Sequence, residues 1–328
     1  MVNAKDCFKH LPQRHNQTGQ LRKVGFELEF AGLNIDQTSE ILKNELGGEL
    51  QIESIAESIL QVPELGEFKI ELDWQFLKEK AAEEDVDDPS QWIELLSQSA
   101  AIIVPVEVVC PPIALSDLER LNPMIDALRE AGATGTEESM LAAYGVHINC
   151  EVPRLDASTL FCYLRSFSLL QWWLIDNQTI NFTRKLSPYI DLYPEAYLKQ
   201  LFGCQQPDLE HIFADYLEHN ASRNRALDLL PLLAEIDDER VHQAVGDDLI
   251  QARPAFHFRL PDCHIEKPEW SLTSAWHSWW LVEQLAAQED ALNDLSERFL
   301  NMGRPVIGVS RSDWIKVIDL WLSDHGLV

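Results

Sequence analysis

Two glutamates on one short alternating segment are the residues of this chain that most directly suggest chemistry. The segment Val24–Phe30 alternates apolar and acidic residues with a period of two. As a β-strand it places Glu27 and Glu29 on one face and its apolar residues on the other. Two carboxylates side by side on a rigid strand repel each other, so the pattern indicates either exposure to solvent or a bound cation. A solvent-exposed strand face that carries acidic residues without any ligand gives the same pattern.

Further strand-like segments carry acidic or metal-binding residues on their polar side. Glu107 is the most informative, because it is the only charge in the β-branched segment 102–112 and a buried charge needs a cation or a donor partner. Carboxylates with one or two imidazoles suit Mg²⁺ or Mn²⁺ that bridges nucleotide phosphates, rather than a thiolate zinc site. An ordinary acidic sheet face remains the alternative. The other candidates are Glu71, Asp73, His147, Asn149, His257 and Arg259.

The elements that must position these residues change in type along the chain. Residues 1–21 show no periodicity and are predicted to be an irregular tail, and the rest, with no internal repeat or low-complexity linker, is predicted to be a single catalytic domain over 22–328. Its class is α+β with a large helical insertion. The sheet is predicted from 22–152 and 253–262, the helical part from 155–250, and C-terminal helices from 268–328.

Local signals predict some element boundaries. Asp36 or Thr38 is expected to cap a helix that ends at Gly47, and 49–63 is expected to pair with 66–74 as a hairpin. The tryptophans near the C-terminus indicate a buried core or, equally, the interface of a homo-oligomer.

The charge balance limits the partners of this protein. The chain has 54 acidic and 26 basic residues, a net charge of −28, so we expect it to bind neither nucleic acid nor anionic membranes. A metal-filled cleft can still reverse the potential locally and accept a nucleotide. The first twenty residues lack the apolar core of a signal peptide, and no apolar run is long enough to span a bilayer, which predicts a cytoplasmic protein.

The order of these motifs resembles the amidoligase family, whose members are similar to glutamine synthetase and glutamate–cysteine ligase. The resemblance covers roughly residues 23–285. Its most specific parts are Gly25–Glu29 and Glu107–Pro112 with the helix that follows. The resemblance implies a curved, mainly antiparallel sheet of the glutamine synthetase-like type with helices packed on one side. It also implies ATP and two or more Mg²⁺ (or Mn²⁺) ions in the hollow of the sheet.

The resemblance also implies roles for individual residues. Glu27 and Glu29 would divide between two metal ions, and Glu107 would join one of these ions and His147 the other. The implied metal ligands are Glu27, Glu29, Glu107, His147 and His257, the implied nucleotide-binding residues are Asn149, Arg223, Arg225 and Arg259, and the implied catalytic residues are Glu27, Glu29, Asp73 and Arg259. Arg223 and Arg225 could equally form surface salt bridges at the start of a helix.

The implied activity is that of an ATP-dependent carboxylate–amine ligase that works through an acyl phosphate. The substrates would be a small-molecule or peptide carboxylate and an amine. Two positions depart from the family pattern: His257 replaces a glutamate, and Asp73 is followed by Trp74 and Gln75 instead of x-Ser. These departures favour, as an alternative, a degenerate non-catalytic member that binds nucleotide or a protein partner. A metal-dependent phosphohydrolase would use the same acidic face.

Overall fold

The structure is a computed structural model that describes residues 7–72, 105–136, 144–177, 191–246, 250–304 and 308–328. The chain divides into two compact units. The first unit contains Met1–Cys7, Lys23–His147 and Asp262–Ala275, and the second contains Phe8–Arg22, Ile148–Pro261 and Trp276–Val328. That residues 22–328 act as one catalytic domain stays a prediction.

The first unit is built on antiparallel strands. Its strand order is β2-β3-β4-β5-β1, with the short β6 also paired to β1. The predicted antiparallel sheet of a mixed α and β protein is therefore confirmed, while its glutamine synthetase-like form stays a prediction. The strands are β1 (Lys23–Phe30), β2 (Glu49–Ser54), β3 (Glu57–Val62), β4 (Gly66–Leu72), β5 (Val106–Val109) and β6 (Ile113–Ala114).

The alternation along β1 makes one face of this sheet a hydrophobic core. Phe26, Leu28 and Phe30 are fully buried, as expected for residues two apart on a strand. Helix α1 (Ile35–Leu46) packs against β3 and β4. Helix α2 (Asn122–Glu130), which follows a 3-10 turn at Leu118–Leu121, packs against α1.

Two local predictions in this unit are correct only in part. Asn34 caps α1: its Oδ1 accepts the Gln37 backbone N–H at 2.8 Å, and the Gln37 Oε1 accepts the Asn34 N–H at 3.1 Å. This reciprocal capping box outcompetes a cap at Asp36 or Thr38, while Gly47 ends the helix as expected. The expected antiparallel pairing is confirmed between β3 and β4, but residues 49–63 form two strands, β2 and β3, so the three strands make a meander.

The second unit is mainly helical. Strand β9 (Ala255–Phe258) pairs antiparallel with β8 (Leu227–Asp228) on one side and with β7 on the other. Strand β7 (Val146–Glu151) begins in the first unit, as does helix α7 (Leu272–Ala286). The remaining helices among the described residues of this unit are α3 (Ala157–Asn177), α4 (Glu195–Gly203), α5 (Leu209–Asn220), α6 (Leu230–Val245), α8 (Glu289–Met302) and α9 (Arg311–Asp324).

The helical prediction for 155–250 fails at β8. Leu227 and Asp228 pair with Phe258 and His257 as a strand, and a two-residue strand is too short to show a period in the sequence. Of the tryptophans near the C-terminus, Trp276, Trp279 and Trp314 are buried, as expected for a core. That some of these tryptophans form a homo-oligomer interface stays a prediction. No helix among the described residues is long and apolar enough to cross a bilayer.

A buried ion pair fixes the N-terminal segment 8–22, whose described residues contain no helix and no strand. Arg22 and Glu283 of α7 have side-chain exposures of 0% and 1%, and the guanidinium binds both carboxylate oxygens, at 2.7 and 3.1 Å. The Arg22 Nε–H donates to the Glu151 carbonyl at 2.6 Å. Burial would lower the pKa of Arg22, but Cys150 and Glu283 raise it well above its ordinary value. The described part of the predicted tail is thus irregular but anchored.

We predict that breaking this pair destabilises the protein more than any surface ion pair. Glu283→Gln keeps the shape of the side chain but leaves the Arg22 charge uncompensated, so we expect the free energy of unfolding in urea to fall by about 3–5 kcal/mol. Arg298→Met removes an exposed pair with Asp294 and serves as the control, with an expected loss below about 1 kcal/mol. Equal losses for the two variants would contradict the prediction.

Candidate metal centre

Antiparallel register brings carboxylates of four neighbouring strands into one row. Glu29 of β1 lies opposite Glu107 of β5, Glu107 lies opposite Glu71 of β4, and Glu71 lies opposite Glu57 of β3. Directly opposed residues in a sheet project from the same face, and like charges in that arrangement are destabilising. The buried core lies on the other face of these strands, so no slip in register can separate the carboxylates without exposing apolar residues.

His147, at the start of β7, lies beside two glutamates of β1. Its Nδ1 is 2.8 Å from the Glu27 Oε2, and its Nε2 is 3.5 Å from the Glu29 Oε1. The second oxygen of Glu29, Oε2, accepts the backbone N–H of Gly145 at 2.7 Å. The Glu29 amide in turn donates to the Gly145 carbonyl at 3.0 Å. The backbone before β7 therefore fixes the position and the rotation of the Glu29 carboxylate.

The donor atoms of Glu29, Glu107 and His147 lie close enough together to bind one ion. One potential ligand atom from each residue lies within 4.8 Å of the other two. The side chains of His147 and Glu29 are 8% and 17% exposed. The cluster is therefore largely shielded from water but still accessible to an ion from solvent. Two carboxylates and one imidazole match the preferences of Mg²⁺ and Mn²⁺ for hard ligands. The residues therefore fit a divalent cation.

The electrostatics of the row favour a cation for a second reason. Burial raises the pKa of the Glu71 carboxyl, Lys69 lowers it in part, and Glu57 and Glu27 raise it further. The negative charges on this face thus repel one another, and a carboxyl group there loses its proton less readily than one in water. A divalent ion at Glu29 and Glu107 would relieve this repulsion directly.

The remaining predicted site residues that the structure describes lie in the second unit. Asn149 lies opposite His257 across β7 and β9, and its Oδ1 accepts a hydrogen bond from Arg253 at 2.8 Å. The His257 Nδ1 lies 3.4 Å from the Asp228 Oδ2. That these residues join the carboxylates of the first unit around one nucleotide stays a prediction.

Two of the predicted basic residues of this unit donate side-chain hydrogen bonds to the backbone. Arg259 is buried, and its Nη1–H donates to the Arg223 carbonyl. Arg225 donates to the carbonyls of Leu192 and His219, at 2.8 and 2.9 Å. These bonds order the loop before β8. From the sequence, Arg223 and Arg225 were expected either to bind nucleotide or to form surface salt bridges, and a structural role of this kind was not considered. Asp73 lies outside the described residues.

Two residues of this centre were not predicted from the sequence. Gly145 positions Glu29 through its backbone, which no side-chain pattern could reveal beyond the presence of a glycine before the His147 strand. Glu57 extends the row to a fourth strand. Glu57 was not predicted because residues 49–63 were taken as one strand. The alternation of polar and apolar residues along β3 was therefore not recognised as that of a separate strand.

The fold and the site define the class: a mixed α and β protein with an antiparallel sheet that carries a candidate divalent-cation centre. Comparison with known families agrees with that class. Residues 20–281 match the model of the family described as "Putative amidoligase enzyme", and the chain belongs to this family. The match confirms the expected family and supports an enzyme of the ligase type. Searches of the curated proteins and of the solved structures gave no significant match.

We predict that removing one charge from the row stabilises the metal-free protein in a pH-dependent way. Glu71→Gln should raise the free energy of unfolding at pH 7 by about 0.2–1 kcal/mol, the size of a cross-strand pair interaction. Because the pKa of Glu71 is raised in the folded state, its charge begins to cost stability as the pH rises through the ordinary value, and the cost is complete above the raised value. The gain should therefore vanish at pH 3.5, below the ordinary value.

Glu53→Gln is the matched control, because Glu53 is exposed on β2 and the substitution removes the same charge. Urea unfolding of both variants in EDTA, at pH 7 and at pH 3.5, makes the comparison. A gain for Glu71→Gln that is no larger than that for Glu53→Gln at pH 7 would show that the row is not under electrostatic strain.

Proposed function

We propose that this protein is an ATP-dependent carboxylate–amine ligase that forms an amide or peptide bond through an acyl phosphate. Membership of the amidoligase family supports the ligase class. The observation that carries the finer proposal is the convergence of Glu29, Glu107 and His147 on one face of an antiparallel sheet. Ligases of this kind must bring a negatively charged triphosphate against a negatively charged carboxylate, and a cation centre on a rigid sheet answers that need.

In this proposal Glu29, Glu107 and His147 hold a divalent cation, Mg²⁺ or Mn²⁺. When bound, the ion offsets the negative charge of the triphosphate and draws electron density from the γ-phosphoryl group. The chain itself contributes position: Gly145 fixes the Glu29 carboxylate, and the β1–β5 register fixes Glu107 beside it. Most of the rate gain in phosphoryl transfer comes from such positioning and charge stabilisation.

The proposed reaction has two balanced steps. An oxygen of the substrate carboxylate forms a bond to the γ-phosphorus while the bond to the departing ADP breaks. The amine nitrogen then forms a bond to the acyl carbon, the bond to the phosphate oxygen breaks, and the amine releases a proton. Glu71 is our proposed acceptor of that proton, because its carboxyl group lies directly opposite Glu107 on the same face of the sheet.

We predict that ATP binding depends on a divalent ion and on Glu29. Calorimetry with Mg²⁺ and ATP should show binding to the unaltered chain, no binding in EDTA, and at least a tenfold loss of affinity in Glu29→Gln. The control is Glu53→Gln, which should bind as the unaltered chain does. ATP binding that is equally strong in EDTA would contradict the role of the centre, and no binding at any Mg²⁺ or Mn²⁺ concentration would contradict the ligase itself.

We also predict that ATP turnover requires an amine. Release of phosphate should rise at least tenfold when both an acceptor amine and a carboxylate are supplied from a panel of amino acids and γ-glutamyl compounds. The Glu107→Gln variant should abolish this stimulation. Full-rate phosphate release without any amine would instead favour a metal-dependent phosphohydrolase, which could use the same acidic face.

A further inference from the structure

We propose that Asp228 is a positioning residue for His257: its carboxylate orients the imidazole ring and keeps a proton on the Nδ1 nitrogen. The inference rests on the proposed function, because the resemblance implies that His257 is a ligand of the cation. It goes beyond that role, in which His257 acts without a second residue. The observation behind it is that a buried carboxylate of β8 faces this ring from the neighbouring strand.

The pairing of β8 with β9 places the two side chains on one face. Asp228 lies directly opposite His257, and directly opposed residues of a sheet project from the same face. On the other face Leu227 lies opposite Phe258, and both are fully buried. A slip of one residue would move these apolar side chains out of the core, so the register that joins Asp228 to His257 is fixed.

Buried hydroxyl groups hold β8 in place on either side of Asp228. The Tyr193 hydroxyl donates to the Leu227 carbonyl at 2.7 Å, and the Tyr216 hydroxyl accepts the Leu229 backbone N–H at 2.9 Å. Both tyrosines are buried. These bonds give a two-residue strand a fixed position, and a side chain on a rigid, supported element is held more closely than one on a loop.

The Asp228 carboxylate has one donor from the backbone and one from the ring. Its side chain is 2% exposed, and a carboxylate that is buried to this extent needs hydrogen-bond donors. Oδ1 accepts the Leu230 backbone N–H at 2.9 Å. Oδ2 lies 3.4 Å from the His257 Nδ1, which is long for an N–H···O bond, and bonds of this kind often shorten when a site is occupied. The ring therefore donates its Nδ1–H to Asp228.

A proton on Nδ1 leaves the Nε2 of a neutral ring unprotonated, as a metal ligand must be. A carboxylate behind such a ring also makes the ligating nitrogen more basic, and its loss typically costs about 10–100-fold in metal affinity. The pair of Asp228 and His257 carries one negative charge, whereas a neutral imidazole carries none. Where the resemblance implies a glutamate, this chain thus has an imidazole with a carboxylate on the next strand.

The first test reads the position of the proton. Nitrogen-15 NMR of the His257 ring in the metal-free chain, at pH 8.5, should show a protonated Nδ1 and an unprotonated Nε2. In Asp228→Leu, which has a side chain of similar size but no acceptor, the preference for Nδ1 should be lost. A protonated Nε2 in the unaltered chain, or an unchanged ring in Asp228→Leu, would overturn the inference. The unaltered chain decides the question even if Asp228→Leu does not fold.

The second test places a carboxylate on both strands. His257→Glu sets two carboxylates against each other, so the urea concentration at the midpoint of unfolding should fall. Asp228→Asn removes that repulsion, so in the His257→Glu background it should raise the midpoint by more than it changes the midpoint of the unaltered chain. Equal shifts of the same sign in the two backgrounds would show that the side chains do not interact, and the inference would fail.

The third test is the affinity for Mn²⁺, measured by electron paramagnetic resonance on the full chain. Asp228→Asn should weaken binding about 10–100-fold, whereas Asp294→Asn, which removes an exposed carboxylate of α8, should leave it unchanged. Unaltered Mn²⁺ binding in Asp228→Asn would overturn the role of Asp228 in the centre. If the unaltered chain binds neither Mg²⁺ nor Mn²⁺, the proposed function fails, while the pairing of Asp228 with His257 is still decided by the first two tests.

Discussion

The register that opposes Glu29, Glu107 and Glu71 on adjacent strands is the constraint from which the candidate site follows. Neighbouring strands lie only about 5 Å apart, so these carboxylates cannot separate unless the sheet slips. A slip is blocked because the other face of β1 buries Phe26, Leu28 and Phe30 completely. The hydrophobic core therefore holds together charges that would move apart on a flexible loop, and it creates a place where a cation is favoured.

Precision at this centre comes from the backbone as much as from the side chains. The exchange of hydrogen bonds between Glu29 and Gly145 fixes the carboxylate relative to the strand that carries His147. His147 then uses one nitrogen for Glu27 and turns the other toward Glu29. Rigid elements with supporting contacts hold ligands more closely than loops do, which is the property that a phosphoryl-transfer site requires.

Some of this arrangement could be predicted from the sequence because it depends on local period. The alternation of β1 placed Glu27 and Glu29 on one face, and the isolated charge of Glu107 marked it as a residue in need of a partner. The choice of partners could not be predicted, because strand pairing joins residues that are far apart in the chain. No sequence pattern indicated that Glu107 lies between Glu29 and Glu71.

The errors have physical reasons of the same kind. Asn34 and Gln37 carry the spacing of a capping box, but Asp36 and Thr38 are equally good capping residues by type, and only the backbone geometry decides between them. Strand β8 is two residues long and is defined by pairing with β9. Arg22 and Glu283 lie 261 positions apart, so their buried pair, and with it the anchoring of segment 8–22, leaves no local signature.

The most direct test of the central claim is a crystal of the full chain grown with Mn²⁺ and a non-hydrolysable ATP analogue, with data collected at a wavelength where manganese scatters anomalously. The account predicts an anomalous peak at bonding distance from carboxylate oxygens of Glu29 and Glu107 and from the His147 Nε2, with triphosphate oxygens completing the coordination. A peak elsewhere, or a nucleotide bound with no ion at these three residues, would contradict it.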